Sequence, residues 1–309
     1  MGRTFFARGS RGMIAKRIQG DLFSKGFTTL PKDKFVDGDF GGNTAAAVKA
    51  LQRTALLPET GEVDAPTWSR LTPDPLPSLF ERCLQWTAWL EGHGFTLAQG
   101  NFDGAGITWG LIGYTLSAGE VQKQLAQAEA DDPGILQRSF GGLLPQLKAM
   151  LAMPRAQQLR WADALTLLPK SAGKLPAAWT AAFARLGEEP KVKFRQIEQA
   201  YNKYFVSAAA SARALGLTSE LGVALAFDVH VQNGSFKASV MAKAAQWPAN
   251  HPEPNRRRDL ANWVADASTN VRFREDVRAR KMCIARGGGP VRGQTVSLPA
   301  WGLAEVLAA

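Results

Sequence analysis

Cysteine, histidine and acidic charge are all in short supply in this chain. Two cysteines, Cys83 and Cys283, and three histidines, His93, His230 and His251, are spread over 309 residues. Two distant thiols in apolar, helix-prone surroundings do not make a disulfide framework and are expected to be buried and free. The histidines fall in no metal-ligand spacing, so neither a metal nor a cofactor is expected. β-Branched runs are few, which disfavours an all-β fold. No stretch approaches the ~18 apolar residues of a membrane span. The opening "MGRTFFARGSRGM" lacks an apolar signal-type region of about 7 to 15 residues. A chain made in the cytoplasm without a signal peptide is therefore expected, and a target outside the membrane would be reached by release or delivery. Asp and Glu number 27 against 37 Lys and Arg, a net charge of +10. A surplus of that size favours anionic partners: nucleic acid, anionic lipid or an anionic wall polymer.

What is present is a globular composition, 45% apolar and 21% charged, rich in helix formers. A mainly α fold follows. "LTPDPLPS", with Pro73, Pro75 and Pro77, cannot continue a helix and reads as a stiff spacer. The expected organisation is a module over residues 1–72, a linker over 73–78 and a helical domain over 79–309. In the module, Ile14, Ile18 and Leu22 repeat at helical spacing, with Gly26 as a C-terminal cap. Thr44 is expected to cap a second helix carrying Ala47, Val48 and Leu51. Asp64 is expected to cap a third, with Pro66 in its first turn. "VDGDFGGNT" is turn chemistry between the first two. Phe40, Leu51 and Trp68 are expected in the core.

The pieces "IQGDLFSKGF", "DGDFGGNTAAAVKALQ" and "TGEVDAPTWSRL" occur in the order of the peptidoglycan-binding domain family, which this segment resembles. The resemblance implies a three-helix bundle that docks on cell-wall glycopeptide without catalysis. On its polar turn, Asp37, Asp39 and Asn43 are the candidate wall-binding residues.

In the larger domain, Phe80, Leu84, Thr87 and Glu91 share one helix face, with Cys83 and Leu90 beside them. Gly92 and Gly94 end that helix. Glu91 is then an inward carboxylate at a helix end, the setting in which a glutamate can be kept protonated as a general acid. The following "FTLAQGNFDGAGITWGLIGY" reads as a small β-hairpin or loop. Asp103 lies in it between flexible glycines, and the Thr108 hydroxyl follows, able to hold a water. Paired carboxylates of this kind are what glycosidic cleavage requires. Trp86, Trp89 and Trp109 are either core residues or walls for sugar rings. Glu81 is the competing acid, on the opposite face of the same helix.

"FDGAGITWGLIGYTLSAGE" resembles the catalytic hairpin of the glycoside hydrolase family 46 chitosanases, of the lysozyme superfamily. "LGLTSELGVALAFDVHVQNG" resembles a second helix of that family, with Asp228 kept and Asn233 where the family has histidine. The resemblance implies Glu91 as acid, Asp103 as the base that positions water, and Thr108 as a holder of that water. It also implies substrate contacts from Trp109, Asp228 and Asn233. Two departures stand out: a shorter spacing from Glu91 to Asp103, and Ala105 where the family carries arginine.

Chitosan is polycationic and a +10 chain repels it. Residues 256–292 alone carry ten Arg and Lys against four Asp and Glu. An anionic polymer fits better, and the N-terminal module points to peptidoglycan. The expectation is a monomeric, bacteriolytic wall hydrolase of muramidase type, organised like a phage endolysin. Its basic C-terminal region offers a further surface for an anionic outer membrane, and no nucleic-acid module is seen. A lytic transglycosylase, a chitosanase and a non-catalytic envelope binder are the alternatives.

Overall fold

The computed structural model describes residues 2–92 and 94–308, and His93 lies outside the described residues. The fold is mainly α, with short antiparallel strands. Two compact units form, Met1–Thr87 with Lys203–Ala309, and Ala88–Asn202. The backbone passes from one to the other inside a helix at Thr87 and again at Asn202.

The first unit begins with β1 (Thr4–Phe6), α1 (Met13–Ser24), α2 (Lys32–Phe35), α3 (Gly42–Thr54), β2 (Val63–Asp64) and α4 (Ala65–Leu71). Their inward faces supply Ile14, Ile18, Leu22, Phe35, Phe40, Val48, Leu51 and Trp68 to one buried cluster. Gly26, at φ 76°, turns the chain after α1, and the Phe27 N–H returns to the Leu22 carbonyl at 3.0 Å. Asp64 caps α4 as expected, accepting from the Thr67 N–H at 2.9 Å. Thr44 does not cap α3: that helix starts after Gly41, and the buried Thr44 hydroxyl accepts instead from the Gln19 amide at 3.0 Å. Gln19 explains the difference. Its buried side chain also donates to Asp37 and the Asp39 carbonyl and accepts from the Gly38 N–H, so it pins the whole Asp37–Asp39 turn from below. Gln52 does the same for the Thr60–Glu62 turn.

α5 (Leu79–Glu91) follows. Ser78 and Glu81 form a capping box at its start, with the Ser78 N–H on Glu81 at 2.8 Å and the Glu81 N–H on the Ser78 hydroxyl at 3.3 Å. Farther along, the Gln85 amide oxygen accepts from the Ile14 N–H at 2.6 Å, tying α5 to the first turn of α1.

The second unit opens with β3 (Ala98–Gln99), β4 (Thr108–Trp109) and β5 (Tyr114–Thr115), which form an antiparallel sheet in the order β3-β4-β5. Then come α6 (Glu120–Asp131), α7 (Ile135–Phe140), α8 (Leu144–Leu151), α9 (Arg155–Leu165), α10 (Ala177–Glu188) and α11 (Pro190–Ala200). One buried cluster joins the sheet to these helices, with Trp109, Phe140 and Phe183 at its centre. Gly187 lets α10 touch the chain at Phe95: a Cβ there would lie 2.3 Å from the Phe95 carbonyl oxygen.

The chain returns to the first unit within a π-helical turn at Tyr201–Phe205, a local widening of a helical run that continues from Pro190 to Ala214. α12 (Val206–Ala214), α13 (Glu220–Asn233), α14 (Ala238–Ala244), α15 (Glu253–Asp266) and α16 (Arg274–Arg286) complete the helices. α13 is buried on every side from Glu220 to His230, as a central helix apolar all round must be. Near the C-terminal end the chain forms a hairpin, β6 (Gly288–Val291) with β7 (Gln294–Ser297), turning through Arg292 and Gly293, both at positive φ. Trp301 then packs edge-on against Trp86, and the Ala7 N–H donates to the Ala300 carbonyl at 3.1 Å. Both cysteines are free and buried, and burial pushes the Cys283 thiol up to about 12. Among the described residues no helix is long and apolar enough to cross a membrane.

Candidate active site

The β3–β4 loop is built to hold one carboxylate in the open. Asn101 is its anchor. The Asn101 N–H donates to the Thr166 hydroxyl at 2.7 Å, its amide donates to Asp163 at 3.2 Å, and its side-chain oxygen accepts from the Gly106 N–H at 3.1 Å. Asp163 is also ion-paired to Lys170, whose hydrogen bond holds its carboxyl below the ordinary range. Asp103 is exposed, and one of its oxygens accepts from the Ala105 N–H at 3.0 Å. The other side-chain oxygen carries no protein hydrogen bond among the described residues. Gly104 and Gly106 sit at φ 90° and 79°, and a Cβ on Gly106 would meet Leu159 at 2.9 Å. A left-handed backbone pressed against a leucine requires glycine there.

Thr108 stands on β4, 6% exposed, and its hydroxyl has no protein partner among the described residues. A buried hydroxyl without a partner is costly unless it meets a water or a ligand. Glu91 lies half-buried at the end of α5, where Gly92 takes φ 71° and stops the helix. The same unit therefore carries Glu91, Asp103 and Thr108, the last two on one hairpin. Glu81, the rival acid, is committed to its capping box.

Two expected substrate contacts are corrected by burial. Trp109 is fully buried with its ring 5.4 Å from that of Phe183, so it is a core residue with no face for a sugar. Asp228 is also fully buried, in the unit that contains α13. It accepts from Arg280 at 2.6 and 2.9 Å, from Lys281 and from the Thr87 hydroxyl at 3.1 Å. Burial alone would raise its pKa, but the Arg280 and Lys281 charges outweigh that and hold it at about 2. It fastens α13 to α16. Asn233 differs: it lines a polar pocket of about 210 Å³ with Gln232, Ser235 and Lys237, and its side-chain oxygen is buried without a partner among the described residues. Trp86 is fully buried and joins the core, whereas Trp89 is half-buried.

In the module, Asp37 serves the turn, accepting from Gln19 and from the Asp39 N–H at 2.8 Å. Asp39 pairs with Arg11 at 2.9 Å. Asn43 alone of the three projects freely, beside a groove lined by Thr28, Thr29 and Leu30.

Phe102 escaped the sequence reading. It is 44% exposed next to Asp103, with its ring against Gly173, where a Cβ would come within 3.0 Å. Its signal was an aromatic residue in a turn of otherwise polar residues and glycines, "GNFDG".

The fold is similar to that of solved chitosanases, one of them of glycoside hydrolase family 46. A native chitosanase from Bacillus subtilis MY002 matches with a TM-score of 0.51 at 15% identity, over 75% of this chain and 100% of that one. A mutant chitosanase from the same source, complexed with six glucosamine units, matches at 0.50 and 16%, over 72% and 98%. The Gynuella sunshinyii family 46 chitosanase in complex with chitotetraose matches at 0.51 and 17%, over 73% and 99%. Residues 15–71 match the family model of a peptidoglycan binding domain. No curated protein matches the chain in sequence.

Proposed function

We propose that this chain is a peptidoglycan hydrolase of the muramidase type, cutting the β-1,4 bond between N-acetylmuramic acid and N-acetylglucosamine. The observation that carries the reading is the site's composition. A half-buried glutamate ends a helix, an aspartate is held open on a glycine hairpin, and a buried threonine hydroxyl on the same hairpin has no protein partner among the described residues. In this reading Glu91 gives its proton to the glycosidic oxygen as the C1–O bond breaks. Asp103 takes a proton from a water whose oxygen bonds to C1 from the opposite face, and Thr108 fixes that water. The result is a single displacement with inversion, for which the two carboxyls must stand about 6.5–9.5 Å apart. Phe102 offers an apolar face to a sugar ring beside Asp103.

The wall-polymer assignment is supported by the matched peptidoglycan binding domain and by the net charge of +10, which draws an anionic polymer and repels chitosan. Lysis would follow release or delivery of the protein to the wall. The likeness of fold to chitosanases favours a second reading, cleavage of chitosan by the same residues. Digestion of purified sacculi and of chitosan, with mass spectrometry of the products, decides between them. Reducing muramic ends from sacculi are expected. Anhydro-muramic ends would make the enzyme a transglycosylase, and reducing ends from chitosan alone would make it a chitosanase.

A further inference from the structure

The first unit carries a groove of about 620 Å³ that the module does not build alone. Its floor is Ala45, Ala46 and Lys49 of α3 together with Gly61. One wall is the N-terminal stretch with Thr4, Ala7 and Arg8, and the other is Ser297, Pro299 and Ala300 from the far end of the chain. The walls are fixed. Ala7 hydrogen-bonds Ala300, Leu298 and Trp301 are buried on either side of the strap, and Gly302 at φ 79° sits where a Cβ would be 2.6 Å from Arg82. The floor is equally set. Gly61 at φ 75° lies under Lys49 and the Ala45 carbonyl, where a Cβ would come within 3.0 and 3.2 Å, and Gln52 holds its N–H.

Charge marks the occupant. Arg8 and Lys49 are exposed and take part in none of the ion pairs of the described residues. The one carboxylate of the lining, Glu62, accepts from the Thr4 hydroxyl. A narrow floor of alanines and glycine admits an extended backbone with small side chains. Arg8 and Lys49, the latter also near enough to Glu59 to lower its pKa, add a preference for free carboxylates. We propose that this groove binds the stem peptide of peptidoglycan, a short peptide of small residues bearing carboxylates, and that the strap at 297–300 is part of the wall-binding site. The proposal rests on the reading of peptidoglycan as the substrate, and it gives the carbohydrate-cutting unit no role in peptide recognition.

The test uses the full chain carrying Glu91→Gln, so that the wall is not consumed, in pull-downs on intact sacculi and on sacculi stripped of stem peptides by an amidase. Binding to intact walls is expected, with at least a tenfold loss on stripped ones. Arg8→Glu with Lys49→Glu should weaken binding to intact walls about tenfold, and Ala300→Trp, which fills the groove with charge unchanged, should do the same. Melting curves check that each variant is folded. Equal retention on stripped walls, or unchanged affinity in both folded variants, overturns the proposal. Release of muropeptides by the chain with Glu91 intact is read in parallel. Lysis without peptide-dependent binding sinks the groove and spares the hydrolase, and peptide-dependent binding without lysis does the reverse.

Discussion

Three buried carboxylates of the first unit and the two candidate-site carboxylates of the second stand in different surroundings. In the first, Glu220, Asp228 and Glu253 are buried or nearly so, and each is answered by cations and N–H groups: Arg82 and Arg3, Arg280 and Lys281, Arg257. In the second, Asp103 is exposed on a single backbone hydrogen bond, and Glu91 sits half-buried at a helix end. Charge that is fully enclosed by its partners holds elements together and is closed to a ligand. Charge that is fixed yet still reaches solvent is available for chemistry. A carboxylate's partners therefore say more about its role than its place in a motif.

The sharpest way to break this contrast is at its two ends. Glu91→Gln should lower wall hydrolysis by about a thousandfold or more while leaving the melting temperature in place, as loss of a general acid with intact packing requires. Activity measured on sacculi and a melting curve on the same sample check both halves, and a lytic variant would remove Glu91 from the mechanism. Arg280→Ala should do the opposite first. It leaves Asp228 with Lys281 and Thr87 in a buried site and should cost about 3–5 kcal/mol in urea unfolding.

Acid should find the same weak point. The Asp228 carboxyl is held near 2 against an ordinary 3.8. Its contribution is therefore present above pH about 4 and is lost as pH falls toward 2. A drop of roughly 2 kcal/mol across that window, absent in Asp228→Asn, is expected from urea titrations.

Smaller effects probe the hairpin. Thr108→Val keeps the shape, removes the hydroxyl and should reduce kcat about tenfold with little change in KM, if that group holds the attacking water. Phe102→Ala should raise KM about three- to tenfold and leave kcat nearly unchanged, which marks lost substrate binding rather than lost chemistry. A fall in kcat there would give Phe102 a share in positioning Asp103.

Much of the local structure was legible in the residues. The Asp64 cap, the Gly26 turn and the turn chemistry around Asp103 all depend on neighbours in sequence, and all are present. What could not be read was decided by distant partners. Thr44 looks like a cap until Gln19 claims its hydroxyl. Trp109 and Asp228 look like site residues until Phe183, Arg280 and Lys281 close over them. The basic stretch from 256 to 292 looks like a solvated cationic face, yet Arg257, Arg280 and Lys281 turn inward to carboxylates. Only part of that surplus therefore remains to attract an anionic surface.

The meeting of the first and last segments has a practical edge. Arg3 reaches both Glu220 and the Gly302 carbonyl, and Ala7 meets Ala300, so the two extremities are stitched side by side. A module joined in this way is not a cartridge to be clipped off at the prolines. Severing the chain near Pro77 would uncover Phe6, which lies against Gly302, and strip the Gln85 amide of its partner on α1, leaving two sticky halves. Joining the extremities with a brief loop and opening the ring elsewhere should, by contrast, be well tolerated.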